Sequence, residues 1–175
     1  MIKKIILGFF SACLLVCCRA QEPANRPHCL QEDFDKKVQS MISFNVSLIG
    51  ADELRANQPK FVILDARERE EFEVSHLEGA RYLGYDNLNL GSLSGVAKDA
   101  PIAIYCSIGY RSEKIGRRLE RMGYTNVRNL YGSIFDWVNR SYPVVDSKGI
   151  LVKKIHTYNR KWSRWVDDTK AEKIW

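Results

Sequence analysis

The sequence predicts an α/β fold: a central parallel β-sheet flanked by helices on both faces. Residues 61–64 and 102–105 are continuous apolar runs, which are typical of strands buried on both sides in a parallel sheet. Helical segments separate these runs from the other strand candidates, and such alternation is typical of α/β domains.

The elements of the first half follow from side-chain periodicity and turn residues. Residues 33–42 are predicted to form an amphipathic helix, because Phe34, Val38, Met41 and Ile42 fall on one side. A helical turn at 52–57 is expected to end before Pro59, because a proline cannot continue a helix. The further predicted elements are a strand at 46–49, that turn at 52–57, the strand at 61–64, a charged helix at 68–74, a turn at 75–79 and a strand at 81–83.

The second half continues the same alternation and ends in an aromatic tail. Its predicted elements are the strand at 102–105, a helix at 113–122, a strand at 127–131 and a helix at 134–140. In the tail, Ile150, Val152 and Ile155 indicate a strand or hairpin edge. Four later apolar side chains fall at helical spacing, which predicts packing on the domain, with a partner or membrane surface as the alternative. These side chains are Tyr158, Trp162, Trp165 and Val166.

The first 20 residues have the layout of an export signal. Lys3 and Lys4 precede an apolar run at 5–18, which is too short to favour a membrane span. Two ways of processing this leader are open. One is cleavage after residue 20, and the other is lipid attachment at Cys17 or Cys18, in a loose match to a bacterial lipoprotein box. We expect an exported protein of the bacterial periplasm or cell envelope, in contact with the membrane only through such an anchor.

Composition limits the classes of partner. Removing the three basic residues of the leader lowers the formal net charge from +6 to +3, which does not indicate nucleic-acid binding. Cys29 and Cys106 remain, and two cysteines make no disulfide framework. A bridge between them stays open, although Cys29 is expected in a mobile N-terminal segment. His28 and His156 lack ligand-spaced companions, so no metal is predicted. The expected divisions are a leader at 1–20, an extension at 21–45, a domain at 46–145 and a tail at 146–175.

Cys106 is the strongest candidate for chemistry. It lies where a predicted strand meets a loop and then a helix, so that helix amides and the helix dipole would favour a thiolate. The alternative is a buried, inert cysteine at a strand end. Four residues separate Cys106 from Arg111.

Five segments, in the correct order, resemble the rhodanese family from about residue 47 to residue 145. The resemblance implies an α/β fold with a central parallel sheet and a cysteine that carries sulfur as a persulfide, with no cofactor. One departure is that the glycine pair often found before the last helix is Gly132-Ser133 here, a change expected not to touch the cysteine. The segments are Leu64-Asp65-Ala66-Arg67 with Glu71-Phe72, His76-Leu77-Glu78-Gly79-Ala80, the stretch from Cys106 to Ser112, Leu119 with Gly123-Tyr124, and Leu130-Tyr131-Gly132-Ser133 with Trp137.

Persulfide chemistry assigns roles to the loop and to its surroundings. Loop amides can lower the thiol pKa and hold the terminal sulfur, and the loop glycine lets the backbone curl tightly. The residues assigned to substrate binding are Ser107, Ile108, Gly109, Tyr110 and Arg111. Arg111 either attracts an anionic donor or pairs with Asp65. Asp65, Arg67 and His76 are assigned supporting roles, and residues 68–71 are expected to form a solvated helix face. Ser112 is expected to cap the following helix.

The function predicted is sulfur transfer from a small anionic donor such as thiosulfate to cyanide, a small thiol or a protein thiol, by a monomer. A phosphatase or arsenate reductase is a rival, but the loop of those enzymes is commonly one residue longer, which suits a tetrahedral phosphate better. The second rival is a partner-binding module in which Cys106 is idle or only accepts sulfur from a protein.

Overall fold

The computed structural model describes residues 22–175, so the predicted leader lies outside the described residues. No helix within that described stretch has both the length and the apolar character needed to cross a bilayer. A five-stranded, wholly parallel sheet forms the centre, in the order β1-β5-β4-β2-β3. Its strands are β1 (Ser47–Ile49), β2 (Val62–Asp65), β3 (Arg81–Tyr82), β4 (Ile102–Tyr105) and β5 (Val127–Leu130).

Strand β4 occupies the middle of the sheet, and all of its residues are buried. Leu64 of β2 lies opposite Ile104, and Ile104 in turn lies opposite Asn129 of β5. In a parallel sheet the carboxyl ends of the strands share one edge, so the residues that follow β2, β4 and β5 meet there.

Helices cover both faces of the sheet, which confirms the predicted fold class. On one face, Ile115 and Leu119 pack in a cluster with Leu64 and Ile104. On the other face, Phe34 and Trp137 belong to a second buried cluster. The helices are α1 (Glu32–Met41), α2 (Ala51–Asn57), α3 (Arg69–Val74), α4 (Tyr110–Arg121), α5 (Ser133–Asn139) and α6 (Arg160–Ser163), with 3₁₀ turns at Gln58–Lys60 and Leu90–Leu93.

The N-terminal extension is part of the core. Phe34, Val38 and Ile42 of the predicted helix are fully buried. The expectation of a mobile segment around Cys29 is wrong, because this residue is 7% exposed and packs in the same cluster. Cys29 and Cys106 are both free thiols.

The C-terminal extension folds as short strands and one short helix. Its strands are β7 (Leu151–Val152), which pairs antiparallel with β6 (Val144–Val145) at the end of the domain, and β8 (Lys154–His156) and β9 (Glu172–Ile174), which pair parallel. Helix α6 has only four residues, so the stripe with helical spacing extends beyond the helix on both sides. The Trp165 ring lies 5.7 Å from the ring of Phe34, and Val166 is buried, whereas Tyr158 stays 54% exposed.

Candidate active site

Cys106 follows β4 directly and lies at the start of a tight loop. Its side chain is buried, and the Gly109 amide donates a hydrogen bond to its Sγ at 3.2 Å. Gly109 has φ 117° and is the residue that precedes α4. Glycine adopts such a backbone conformation readily, whereas residues with a Cβ rarely do. The glycine therefore turns the chain so that amides at the beginning of α4 face the sulfur.

The surroundings of Cys106 favour the thiolate. Burial by itself would raise the pKa of this thiol, but the charge of Arg111 and hydrogen bonds from the Ser112 and Gly109 amides outweigh burial and lower the pKa. A thiol with a lowered pKa has a larger thiolate fraction at neutral pH, and the thiolate is the nucleophilic form.

Arg111 is held by Glu71. Its Nη1 lies 2.6 Å from Oε2 of Glu71, its Nη2 lies 2.8 Å from Oε1, and the same Nη2 donates to the Ser107 hydroxyl at 2.9 Å. The suggested pairing of Arg111 with Asp65 was therefore wrong. The expectation that Glu71 belongs to a solvated face was also wrong, since this residue is 2% exposed. Burial acts to raise the pKa of Glu71, but the bonds and charge of Arg111 prevail and lower it.

Asp65 and Arg67 form a separate ion pair at the end of β2. Both side chains are fully buried, with Arg67 Nη2 2.7 Å from Asp65 Oδ2 and 2.6 Å from the Ser75 carbonyl oxygen. His76 stacks on Phe72 at 3.9 Å between ring centroids. The backbone of His76 also exchanges two hydrogen bonds with Val145. These contacts fix the turn after α3, and they give all three residues structural roles.

Besides Glu71, two residues that support the cysteine loop were not predicted from the sequence. Ser133, with φ 52°, accepts a hydrogen bond from the Cys106 amide at 3.1 Å and donates one to the Leu130 carbonyl at 3.0 Å. The expectation that this departure does not touch the cysteine was therefore wrong. Asn129 donates to the Gly109 carbonyl at 2.9 Å and accepts from the Ser112 hydroxyl at 2.7 Å.

These bonds tie β5 to the cysteine loop. Ser112 does not cap α4, because its hydroxyl is committed to Asn129 and Gly109 is the capping residue. The sequence contained a usable signal: Asn129 lies in the strand that follows Cys106 in the chain, Ser133 lies just after its end, and successive strands of an α/β domain are commonly neighbours.

A cavity of about 290 Å³ lies against Cys106. Its lining includes the predicted loop residues Ser107, Ile108, Tyr110 and Arg111. The predicted loop residue Gly109 does not line the cavity; it is buried, with its amide bonded to the Cys106 sulfur. The remaining lining residues come from other parts of the chain and are apolar or aromatic. They are Met41, Tyr85, Tyr158 and Trp162.

The family model described as a Rhodanese-like domain matches residues 50–140. The Adenylyltransferase and sulfurtransferase UBA4 of Candida albicans is 30% identical over 112 residues, which are 60% of this chain and 25% of that protein. The uncharacterized protein YqhL of Bacillus subtilis is 33% identical over 86 residues, which are 49% of this chain and 68% of that protein.

A solved structure has a similar fold. The thiosulfate sulfurtransferase of Pseudomonas aeruginosa superimposes with a TM-score of 0.52 at 25% identity, covering 58% of this chain and 20% of that one. The chain thus spans about a quarter of the length of the Candida albicans protein and a fifth of the length of the Pseudomonas aeruginosa protein. Because the family model covers just over half of the residues, including β4, Cys106 and the loop, the chain belongs to the rhodanese-like domain family.

Proposed function

We propose that this protein is a sulfurtransferase that carries sulfane sulfur as a persulfide on Cys106. One observation carries the proposal: the thiol has a lowered pKa and lies in a glycine-curled loop whose amides face its sulfur. The names of sulfurtransferases among the similar proteins support the same chemistry.

The first half-reaction loads the cysteine. The Cys106 thiolate attacks the outer sulfur of a donor such as thiosulfate, a sulfur–sulfur bond forms to Cys106, and sulfite leaves with the electron pair of the bond that breaks. The new terminal sulfur is anionic. The loop amides and the nearby Arg111 guanidinium stabilise that charge, as an oxyanion hole stabilises an oxygen.

The second half-reaction transfers the terminal sulfur from Cys106 to an acceptor. An acceptor thiolate attacks the terminal sulfur, and Cys106 leaves as a thiolate with its original charge. Thiolate chemistry of this kind needs no general base at the cysteine. This agrees with the placement of His76 in a turn that packs on Phe72 rather than on the thiol.

Intact-mass measurement tests the proposal. Reduced protein incubated with thiosulfate should gain one sulfur atom, about 32 Da, and lose it again on addition of cyanide. Cys106→Ser should gain nothing. Cys29→Ser is the matched control and should load normally, because burial raises the pKa of the Cys29 thiol and keeps it protonated.

Failure to load would redirect the assignment. An unloaded but alkylatable Cys106 would refute sulfur transfer from thiosulfate. Phosphate-ester or arsenate turnover would then be assayed, because these are the substrates of the rival loop enzymes.

We further propose that the protein acts after export, with a small thiol or a protein thiol as its acceptor. The N-terminal apolar run supports export. Fractionation of expressing cells, with the mass of the mature N-terminus, tests this. An N-terminus at Gln21 would indicate cleavage of the leader, a lipid-modified Cys17 or Cys18 would indicate anchoring, and an unprocessed chain in the cytosol would contradict export.

A further inference from the structure

The cavity over Cys106 is walled by segments that lie outside the matched domain. Met41 comes from α1, and Tyr158 and Trp162 come from the C-terminal extension, whereas the family match spans residues 50–140. The cysteine loop forms the floor. Apart from Tyr85, which lies inside the match, the walls thus belong to parts of the chain that the family match does not cover.

Tyr158 is held over the loop by its backbone. Its φ is 66°, a left-handed conformation that is unfavourable for a bulky residue. Hydrogen bonds on both sides maintain it: the Tyr158 amide donates to Nδ1 of His156 at 3.1 Å, and the Thr157 amide donates to the Ile174 carbonyl at 2.7 Å. The ring centroid consequently lies 5.3 Å from the guanidinium carbon of Arg111. Strained residues held in this way cluster at functional sites.

Trp162 forms a second fixed wall. It is half-buried and packs against the core, and Nζ of Lys37 lies 5.6 Å from the centre of its ring. Its backbone amide is bonded to the Asn159 side chain, which caps α6. The indole is therefore positioned by α6 on one side and by α1 on the other.

The charge of the cavity favours a singly charged donor over a dianion, although it does not exclude the dianion. Arg111 is the cation of the lining, and both of its terminal nitrogens are bonded to the Glu71 carboxylate. This carboxylate offsets the attraction of Arg111 for a donor that must approach the Cys106 thiolate. A singly charged donor with an apolar body meets less repulsion and gains contact with the aromatic walls.

We infer that the preferred sulfur donor is an organic thiosulfonate with an aromatic body, selected by Tyr158 and Trp162. This inference rests on the proposed function. The Cys106 thiolate attacks the outer sulfur of the thiosulfonate, a bond forms between the two sulfurs, and the sulfur–sulfonyl bond breaks. The organic sulfinate leaves with that electron pair, so no oxidant or reductant is consumed.

The test compares loading rates of two donors that share a reacting group. Persulfide formation is followed by quenched intact mass with benzenethiosulfonate and with methanethiosulfonate, and thiosulfate is measured alongside. For each variant, the loading rate with benzenethiosulfonate is divided by the rate with methanethiosulfonate. This ratio is compared between variants, because the intrinsic reactivities of the two donors cancel in that comparison. The ratio should fall by about tenfold in Trp162→Ala, the loss expected for one well-placed aromatic contact.

Two further variants make the test decisive. Tyr158→Asn removes the second ring while retaining a residue that tolerates a left-handed backbone, so it should fold even if Trp162→Ala does not. It should also lower the ratio severalfold. Trp175→Ala is the matched control: this indole is 59% exposed in the same extension and does not line the cavity, so its loss should leave the ratio unchanged.

The outcomes separate the two proposals. If no donor adds sulfur to the wild-type protein, sulfur transfer itself is refuted, and the donor preference with it. If the donors load Cys106 but the ratio is the same in wild type, Tyr158→Asn and any folded Trp162→Ala, sulfur transfer stands and selection by the aromatic walls is overturned.

Discussion

Replacing Arg111 should separate the stability of the site from the reactivity of its thiol. In Arg111→Met, the Glu71 carboxylate, whose side chain is 3% exposed, loses the guanidinium that binds both of its oxygens. Breaking a buried pair from one side costs about 3–5 kcal/mol of unfolding free energy. The double variant Arg111→Met/Glu71→Met leaves no buried charge without a partner. The remaining cost should be about 1–2 kcal/mol, because the Ser107 hydroxyl loses both partners and the Glu68 amide at the start of α3 loses the Glu71 acceptor.

The pH dependence follows from the sign of the Glu71 shift. In the wild type the folded pKa of Glu71 is lowered, so its ionisation contributes stability above the unfolded value, and this contribution is lost as pH falls through the folded pKa. Without Arg111, burial is opposed by the weaker contributions of the Arg67 charge and the Glu68 amide, so the pKa of Glu71 should rise and the single variant should gain stability on acidification. Urea unfolding should therefore show the gap between Arg111→Met and wild type widest at neutral pH and narrower below about pH 4.5.

The thiol should respond differently from the fold. Both variants lose the charge of Arg111, so both should raise the pKa of Cys106, seen as a higher midpoint in the pH profile of iodoacetamide alkylation. A single variant as stable as the double one at neutral pH would refute the account of the ion pair. A double variant with an unshifted alkylation midpoint would refute the role of Arg111 in lowering the thiol pKa.

Three further substitutions probe the support of the loop. Ser133→Ala leaves the buried Cys106 amide without an acceptor and should cost about 1–3 kcal/mol in urea unfolding; an unchanged midpoint would argue against this bond. Asn129→Asp faces the Gly109 carbonyl with a second acceptor and adds negative charge, so the alkylation midpoint of Cys106 should rise, whereas Asn129→Ser should move it less. Gly109→Ala has room for a methyl group, with the nearest atoms at 3.6 Å, but must adopt φ 117°. It should cost about 1–3 kcal/mol and slow native alkylation, while alkylation in denaturant matches wild type.

Local sequence signals identified β4, the cysteine loop and the helix that follows. A continuous apolar run ending at Cys106, with a glycine shortly after it, specifies a buried strand and a tight turn without reference to distant residues. The burial of Glu71 could not be found in this way. Four successive charged residues are typical of a solvated helix, and only the docking of α3 against a loop some forty positions later encloses one of them.

The roles of Ser133 and Tyr158 depend on tertiary structure. Ser133 reaches the Cys106 amide because β5 lies beside β4. The aromatic residues of the tail were expected to pack on the domain. Their spacing is helical, whereas the chain forms only four helical residues and a left-handed turn that places Tyr158 above the loop. Backbone strain of this kind is maintained by surrounding contacts, and sequence periodicity carries no information about it.

The contact between the N-terminal extension and the Gly132 turn determines what can fold as a unit. A methyl group at Gly132 would lie 2.6 Å from the Cys29 sulfur, so the two segments touch without a gap. A fragment beginning at residue 50 would lose Phe34, Val38 and Ile42, whose burial contributes roughly 5–9 kcal/mol in total. That sum is comparable with the whole stability of an ordinary domain, about 5–15 kcal/mol. The boundary of sequence similarity is therefore not a boundary of autonomous folding, and a protein trimmed to its recognisable domain should be recovered as an unfolded or aggregated chain.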